Sequence, residues 1–512
     1  MEDSRRHGAR ATAAVARSRR AVVASGIGIA SGLALGRAAA QHHSHDATPV
    51  SQPPPVPQLT GPRDIGGFGQ DLVQPEMRES IDGVLETTLH ASWTQVPVNG
   101  QTKVTRVFEG MYPAPTLKAA PGETIRVHLI NDLPEVTNLH THGFHVSPSG
   151  NSDNVMLEIQ PGETFDFEFN LPENHTPGMY WYHPHVHGTT GVQVNGGMAG
   201  AIILEGGLDD LPELQDVTDR IMIFQSTEFD SSGVVRPTNQ QNPDNLVRTI
   251  NGQLQPTIRM RPGEIERWRM LNATSGSFLL MALEGHRMHQ IAHDGNPLTH
   301  VVSDFQLRMG PGERNEMLIE AGAPGVYELR QLLWGEGFQS QPDVLWATVI
   351  VEGDPVEPQP LPTTLFPFED LRDAEVDVHR EIRFDMLFDD DGVHFVIDGK
   401  TVDMNRVDQT VKLNDLEEWT IYNDSDEWHP FHIHVNEFQV VAVNGEPYDA
   451  VSLEDTRPLP PNGSITMRTR FLDFTGKYVY HCHILGHEDA GMMGIIEVVK
   501  LAAALEHHHH HH

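Results

Sequence analysis

The segment Gly476-Lys-Tyr-Val-Tyr-His-Cys-His483 decides the fold, because the chain carries it three times. It returns as Gly178-Met-Tyr-Trp-Tyr-His-Pro-His185 and, without the histidines, as Gly325-Val-Tyr-Glu-Leu-Arg-Gln-Leu332. Two further landmarks keep the same order and a spacing of about 150 residues. One is Pro121-Gly-Glu-Thr-Ile-Arg-Val-His-Leu-Ile-Asn131, matched by Pro262-Gly-Glu-Ile-Glu-Arg-Trp-Arg-Met-Leu-Asn272 and, more loosely, by Asn414-Asp-Leu-Glu-Glu-Trp-Thr-Ile-Tyr-Asn423. The other is the turn Pro161-Gly-Glu, Pro311-Gly-Glu and Pro461-Asn-Gly. Apolar and polar residues alternate after each turn, which predicts strands with one buried face.

Working outward, the chain reads as three copies of one β domain, over 70–206, 207–353 and 370–500. The Pro-rich stretch GDPVEPQPLPTTLFPFED marks the second junction, with 354–369 as a linker. Short strands and frequent turns favour β-sandwiches or Greek-key barrels, and no long amphipathic helix is expected. One cysteine in 512 residues excludes a disulfide framework and any four-cysteine zinc or iron–sulfur site. A net charge of −36 argues against nucleic-acid binding and polybasic membrane docking. It favours cationic substrates or metal ions, or it reflects a saline habitat.

The ends read differently from the middle. Residues 1–40 are expected to be an export signal: Arg19-Arg20 precedes the apolar run Ala21–Leu35, and Ala38-Ala39-Ala40 offers a cleavage site. The paired arginines point to the twin-arginine (Tat) route, with an ordinary secretory signal or an uncleaved anchor as the rival. The mature chain is then periplasmic or extracellular, with no stable membrane insertion. Residues 41–69 form a Pro-rich lead-in, in which His42-His43-Ser44-His45 is either a metal scavenger or part of a polar tract. Residues 501–512, LAAALEHHHHHH, read as a vector scar and tag.

Four pairs carry the chemistry: His140-Thr-His142, His183-Pro-His185, His432-Ile-His434 and His481-Cys-His483. On a strand, residues i and i+2 face the same side, so each pair aims two imidazoles at one place. Imidazole suits copper, zinc, iron or nickel. Two pairs lie in the first repeat and two in the third, whereas the middle repeat has Arg330 and Leu332 at the aligned positions. The outer repeats must therefore meet to build an interdomain metal site, with the middle one as a spacer or substrate-shaping domain. Cys482 points to the opposite side of its strand. Alone it reads as an inert core thiol. With His429, His487 and Met492 it supplies the thiolate, two imidazoles and thioether of a blue-copper site.

These motifs resemble those of three-domain multicopper oxidases, in particular bacterial laccases. The resemblance implies an all-β fold of three consecutive cupredoxin-like Greek-key domains and four copper ions. It implies a type 1 copper on His429, Cys482, His487 and Met492, and type 2 ligands His140 and His432. It also implies a type 3 pair on His142, His183, His185, His434, His481 and His483. Glu488 matches a proton-relay glutamate and Asp153 the channel aspartate, the alternative for both being a solvated surface acid. Asp489 is a neighbour easily confused with Glu488. Thr141 stands where the family often has Trp, and Gly486 where it often has a bulky or acidic residue.

The implied reaction couples four one-electron oxidations to reduction of O2 to two waters. The 18 methionines are scattered rather than clustered, which favours phenols or aromatic amines as reductants over Cu(I) or other metal ions. The chain is expected to act as a monomer. The rivals are a cuprous or metal oxidase of copper tolerance, and a non-enzymatic exported copper-binding or scaffold protein.

Overall fold

The computed structural model describes residues 69–335 and 339–500. The expected export signal, all but the last residue of the expected lead-in with its histidine run, and the expected tag lie outside the described residues. Among those described, strands dominate, and the α-helices are the short segments Thr190–Gly196 and Leu485–Asp489. No helix there is long and apolar enough to cross a membrane.

One pairing pattern occurs three times. Val84–Val98 runs parallel to Thr124–Asp132, which is antiparallel to Thr164–Asn170. Thr218–Thr227, Ile265–Asn272 and Arg314–Glu320 repeat that order, as do Val378–Asp389, Leu416–Asn423 and Ser464–Arg470. A second sheet in each repeat is centred on an antiparallel pair: Gly178–His183 with Gly200–Leu204, Gly325–Gln331 with Val344–Val351, and Gly476–Cys482 with Met493–Val499. The apolar core of each repeat draws side chains from both of its sheets.

The sequence alternation explains the outer strands. In Thr124–Asp132, Ile125, Val127 and Leu129 are buried while Arg126 and His128 are exposed. The middle repeat departs from the expected single buried face, since every residue of Ile265–Asn272 is buried. Its polar face is covered and neutralised by ion pairs. Arg267 and Arg269 both bind Glu316 and Asp209, and Arg269 also binds Asp219. Buried charges persist only when so paired.

Two details show how closely the repeats are copied. Trp268 Nε1 donates to Glu266 at 2.9 Å and Trp419 Nε1 to Glu417 at 2.7 Å, and each glutamate is held by an arginine of the parallel strand, Arg220 or Arg380. Tyr182 lies across Gly200 and Tyr480 across Gly494 in register, each ring occupying the space a Cβ would need. These tyrosines immediately precede the His183 and His481 motifs, so the glycine–aromatic pairs anchor the strand ends that carry the histidines.

Trp419 is fully buried and keeps Glu417 partnered. We expect Trp419→Ala to lower unfolding free energy by roughly 3–5 kcal/mol, measured by denaturant titration of the third repeat's tryptophan and tyrosine signals. A loss below about 1 kcal/mol would remove this pair from the repeat's core.

Candidate metal centres

Strand register assembles the histidines. His140–His142 pairs antiparallel with Gly178–His183, placing His140 opposite His183. His429–Ile433 pairs with Gly476–Cys482, placing His432 opposite His481. His185, His434 and His483 follow within two residues of those strand ends. The eight rings from the outer repeats meet in one buried cluster, none more than 2% exposed. Each first-repeat ring of the His140–Thr–His142 strand stacks on a third-repeat ring. His140 lies on His434 with centroids 3.9 Å apart, and His142 on His432 at 3.8 Å.

Burial first, and then neighbouring imidazoles, hold His140, His185, His434, His481 and His483 well below the usual histidine range. Burial does the same for His142, and it lowers His183 to about 3. These seven rings are therefore neutral, the state a metal requires.

A neutral imidazole has one N–H and one lone pair, and the outer nitrogens take the donors. His183 Nδ1 donates to the Pro184 carbonyl at 2.8 Å, His432 Nδ1 to the Asp455 carbonyl at 2.8 Å, and His481 Nδ1 to the Cys482 carbonyl at 3.1 Å. His140 Nδ1 lies 2.9 Å from Asp153. The inner nitrogens lack partners: His140 Nε2, His142 Nδ1, His183 Nε2, His432 Nε2 and both nitrogens of His483 are buried without a hydrogen bond. His185 Nε2 and His481 Nε2 face each other at 3.1 Å. Lone pairs aimed at one another in a dry cavity fit a group of cations and little else. Three histidine triads have donor atoms mutually within 4.8 Å: His140–His142–His183, His140–His432–His434 and His185–His434–His481. His483 belongs to none of them, although its ring lies 4.9 Å from that of His142.

Cys482 faces away from this cluster, as its place between two inward histidines requires. Its Sγ lies 3.5 Å from His429 Nδ1 and 3.8 Å from His487 Nδ1, and those nitrogens are 3.3 Å apart. The centre of such a triangle is ~2 Å from each corner, the length of a metal–imidazole bond. Without metal, burial pushes the thiol up and His429 down to about 4. Met492 is buried, and its carbonyl accepts the Cys482 N–H at 3.1 Å, which ties its backbone to that of Cys482.

The acids fall into distinct places. Glu488 is buried, 3.3 Å from His481 Nδ1 and 3.6 Å from His185 Nδ1. Burial, then Asp489, raises its carboxyl well above the usual range. Asp489 turns the other way and accepts the N–H groups of Gly188, Thr190 and Gly191 at the start of Thr190–Gly196. Asp153 is not a surface acid. It is buried, burial lifts it to about 7, and it accepts the Thr141 N–H at 2.9 Å.

Three partners were not singled out from sequence. Ser425 Oγ is 2.8 Å from His429 Nε2. Phe395 stacks on His487, with centroids 4.0 Å apart. Asp455 is buried and lies 2.9 Å from His142 Nε2. In the middle repeat, Arg330, aligned with a histidine, is committed to Asp343 and Glu328.

Family models described as multicopper oxidase match residues 90–208, 219–351 and 375–501. The chain belongs to the multicopper oxidase family. It is thus a copper-dependent oxidase built from cupredoxin-like β domains. This oxidase is 27% identical over 452 residues to multicopper oxidase mco of Staphylococcus epidermidis, covering 84% of this chain and 93% of the relative. It superposes on a multicopper oxidase of Campylobacter jejuni, described as a metallo-oxidase, with a TM-score of 0.76 and 26% identity, over 85% of this chain and 96% of the other. A laccase from Pediococcus acidilactici gives 0.73 and 25%, over 85% and 94%.

Copper-reconstituted protein is expected to show an intense blue absorption that Cys482→Ser abolishes, while copper in the histidine cluster is retained. A variant that keeps the blue band would take Cys482 out of the metal site.

Proposed function

We propose that the oxidase holds four coppers and couples four one-electron oxidations of phenols or aromatic amines to reduction of O2 to two waters. The type 1 copper is assigned to His429, Cys482, His487 and Met492, and the type 2 copper to His140 and His432. The type 3 pair is assigned to His142, His183, His185, His434, His481 and His483. The observation that carries this reading is the inward set of unpartnered imidazole nitrogens beside a separate cysteine–histidine triangle. Copper, when bound, supplies the one-electron chemistry and the affinity for O2.

The chain supplies the rest. Cys482 is bonded through its backbone to His481 and His483, so a short covalent route joins the two centres with no solvent gap. Glu488 holds its proton in a dry pocket beside His481 and His185, in place to release it toward the cluster. Asp153 keeps His140 turned so that Nε2 faces inward.

An organic reductant is supported by the surroundings of His487. Phe395 stacks on its ring, and the cross-strand pairs Met386–Phe395 and Phe388–Val393 put four apolar side chains on one face of that hairpin. Phe388 and Val393 are exposed, and flat aromatic molecules stack on such surfaces. The metal-oxidase alternative draws on the net charge of −36 and on the likeness to the Campylobacter jejuni metallo-oxidase. Export through the twin-arginine route, as a monomer, belongs to the same proposal and draws on Arg19-Arg20.

Two measurements test it. In steady state a phenol such as 2,6-dimethoxyphenol is expected to have the higher kcat/KM than Cu(I), with one O2 consumed per four electrons; a strong preference for Cu(I) would replace the substrate assignment. Glu488→Gln is expected to keep the copper content and slow O2 reduction on the order of 10²-fold. Unchanged turnover would remove Glu488 from proton delivery.

A further inference from the structure

The middle repeat contributes no histidine to the cluster, yet its Arg314 is fully buried against it. Arg314 Nη1 and Nη2 grip the Asp455 carboxylate at 2.9 and 2.6 Å. Nε reaches the Met179 carbonyl of the first repeat at 3.3 Å, so one guanidinium touches all three repeats. Asp294, also from the middle repeat, accepts the Asp455 and Thr456 N–H groups at 3.2 and 3.0 Å and the Arg314 N–H at 3.1 Å. Asp455, immediately before the strand Thr456–Leu459, is thereby held by both Arg314 and Asp294.

Asp455 in turn faces His142 Nε2 at 2.9 Å. A carboxylate bound by an arginine fork only accepts, so His142 must carry its proton on Nε2 and turn Nδ1 inward. This inverts the arrangement at His183, His432 and His481, where Nδ1 donates to a carbonyl. The space for the arrangement is reserved by Gly143, directly after the His140-Thr-His142 strand. A Cβ there would stand 2.6 Å from both Arg314 Nη2 and Asp455 Oδ2. Gly312 meets the cluster from the same middle-repeat turn, where a Cβ would stand 3.0 Å from the His483 ring.

We infer that Arg314 and Asp455 are positioning residues that set the tautomer and orientation of His142, making the middle repeat part of the histidine cluster's construction. The inference rests on the reading that the eight histidines hold copper. Partners of this kind alter metal affinity without touching the metal.

The test uses copper-loaded full-length protein, wild type and the variants Arg314→Lys and Asp455→Asn. Lysine keeps the charge but loses the two-pronged grip, and asparagine keeps the shape but offers the imidazole an ambiguous partner. Three readouts are taken during chelator titration: copper per chain, the type 2 electron paramagnetic resonance signal, and the blue band, which reports the separate Cys482 site. We expect cluster copper to be released at roughly 10- to 100-fold lower chelator in both variants, with an altered type 2 signal and an unchanged blue band. Wild-type retention of cluster copper in both variants overturns the inference. So does loss of the blue band in step with cluster copper, which would assign the pair to general stability. Wild-type protein that binds copper only at the blue site would instead overturn the functional reading beneath it.

Discussion

Imidazoles packed together in one buried cavity can remain there only if they are uncharged. Desolvation forbids the imidazolium, and each ring would repel its neighbours if protonated. Neutrality leaves one donor and one acceptor per ring. Backbone carbonyls of Pro184, Asp455 and Cys482 take three of the donors, and the carboxylates of Asp153 and Asp455 face two more. The remaining lone pairs then point inward with nothing to receive them. Much else in the fold serves this requirement: the register that sets His140 against His183 and His432 against His481, the glycines on which Tyr182 and Tyr480 lie, and the closure by the middle repeat.

Most of this was legible in the sequence because the strand period is short. A His-x-His pair declares by itself that two rings share a face, and three spaced landmarks declare a repeat. Glu488 was legible as a candidate, but its separation from Asp489 required the short helix Leu485–Asp489, where one carboxylate turns inward and the other receives three backbone N–H groups. Asp455 was not legible. Its imidazole partner is 313 residues away, and nothing in Leu-Glu-Asp-Thr-Arg-Pro announces a ligand's support. The strand Ile265–Asn272 misled for a related reason. Arg267 and Arg269 look like a solvent face until Glu316, Asp209 and Asp219, distant in sequence, arrive to bury them.

The middle repeat shows what the copied strand does without the histidines. Arg330 stands where the outer repeats have histidine and has become a partner for Asp343. The same repeat kept a role through a different element, since the turn and strand around Gly312 and Arg314 press on the cluster. All three repeats are interlocked there, with Met179, Arg314 and Asp455 meeting at one point.

The stacked rings carry a last consequence. His140 lies on His434 and His142 on His432, each with interplanar angles near parallel, 11° and 10°. Swapping His140 with His432 and His142 with His434 turns one stack into the other, so the two outer repeats make matching contacts at the cluster, as two identical subunits would. Each offers four histidines, half of a cavity, to the other. A solitary outer repeat would expose those four rings on an open surface, and only pairing would enclose them. The cluster is in effect a dimer interface carried within one polypeptide, and the covalent tether fixes its halves at equal numbers whatever the protein concentration.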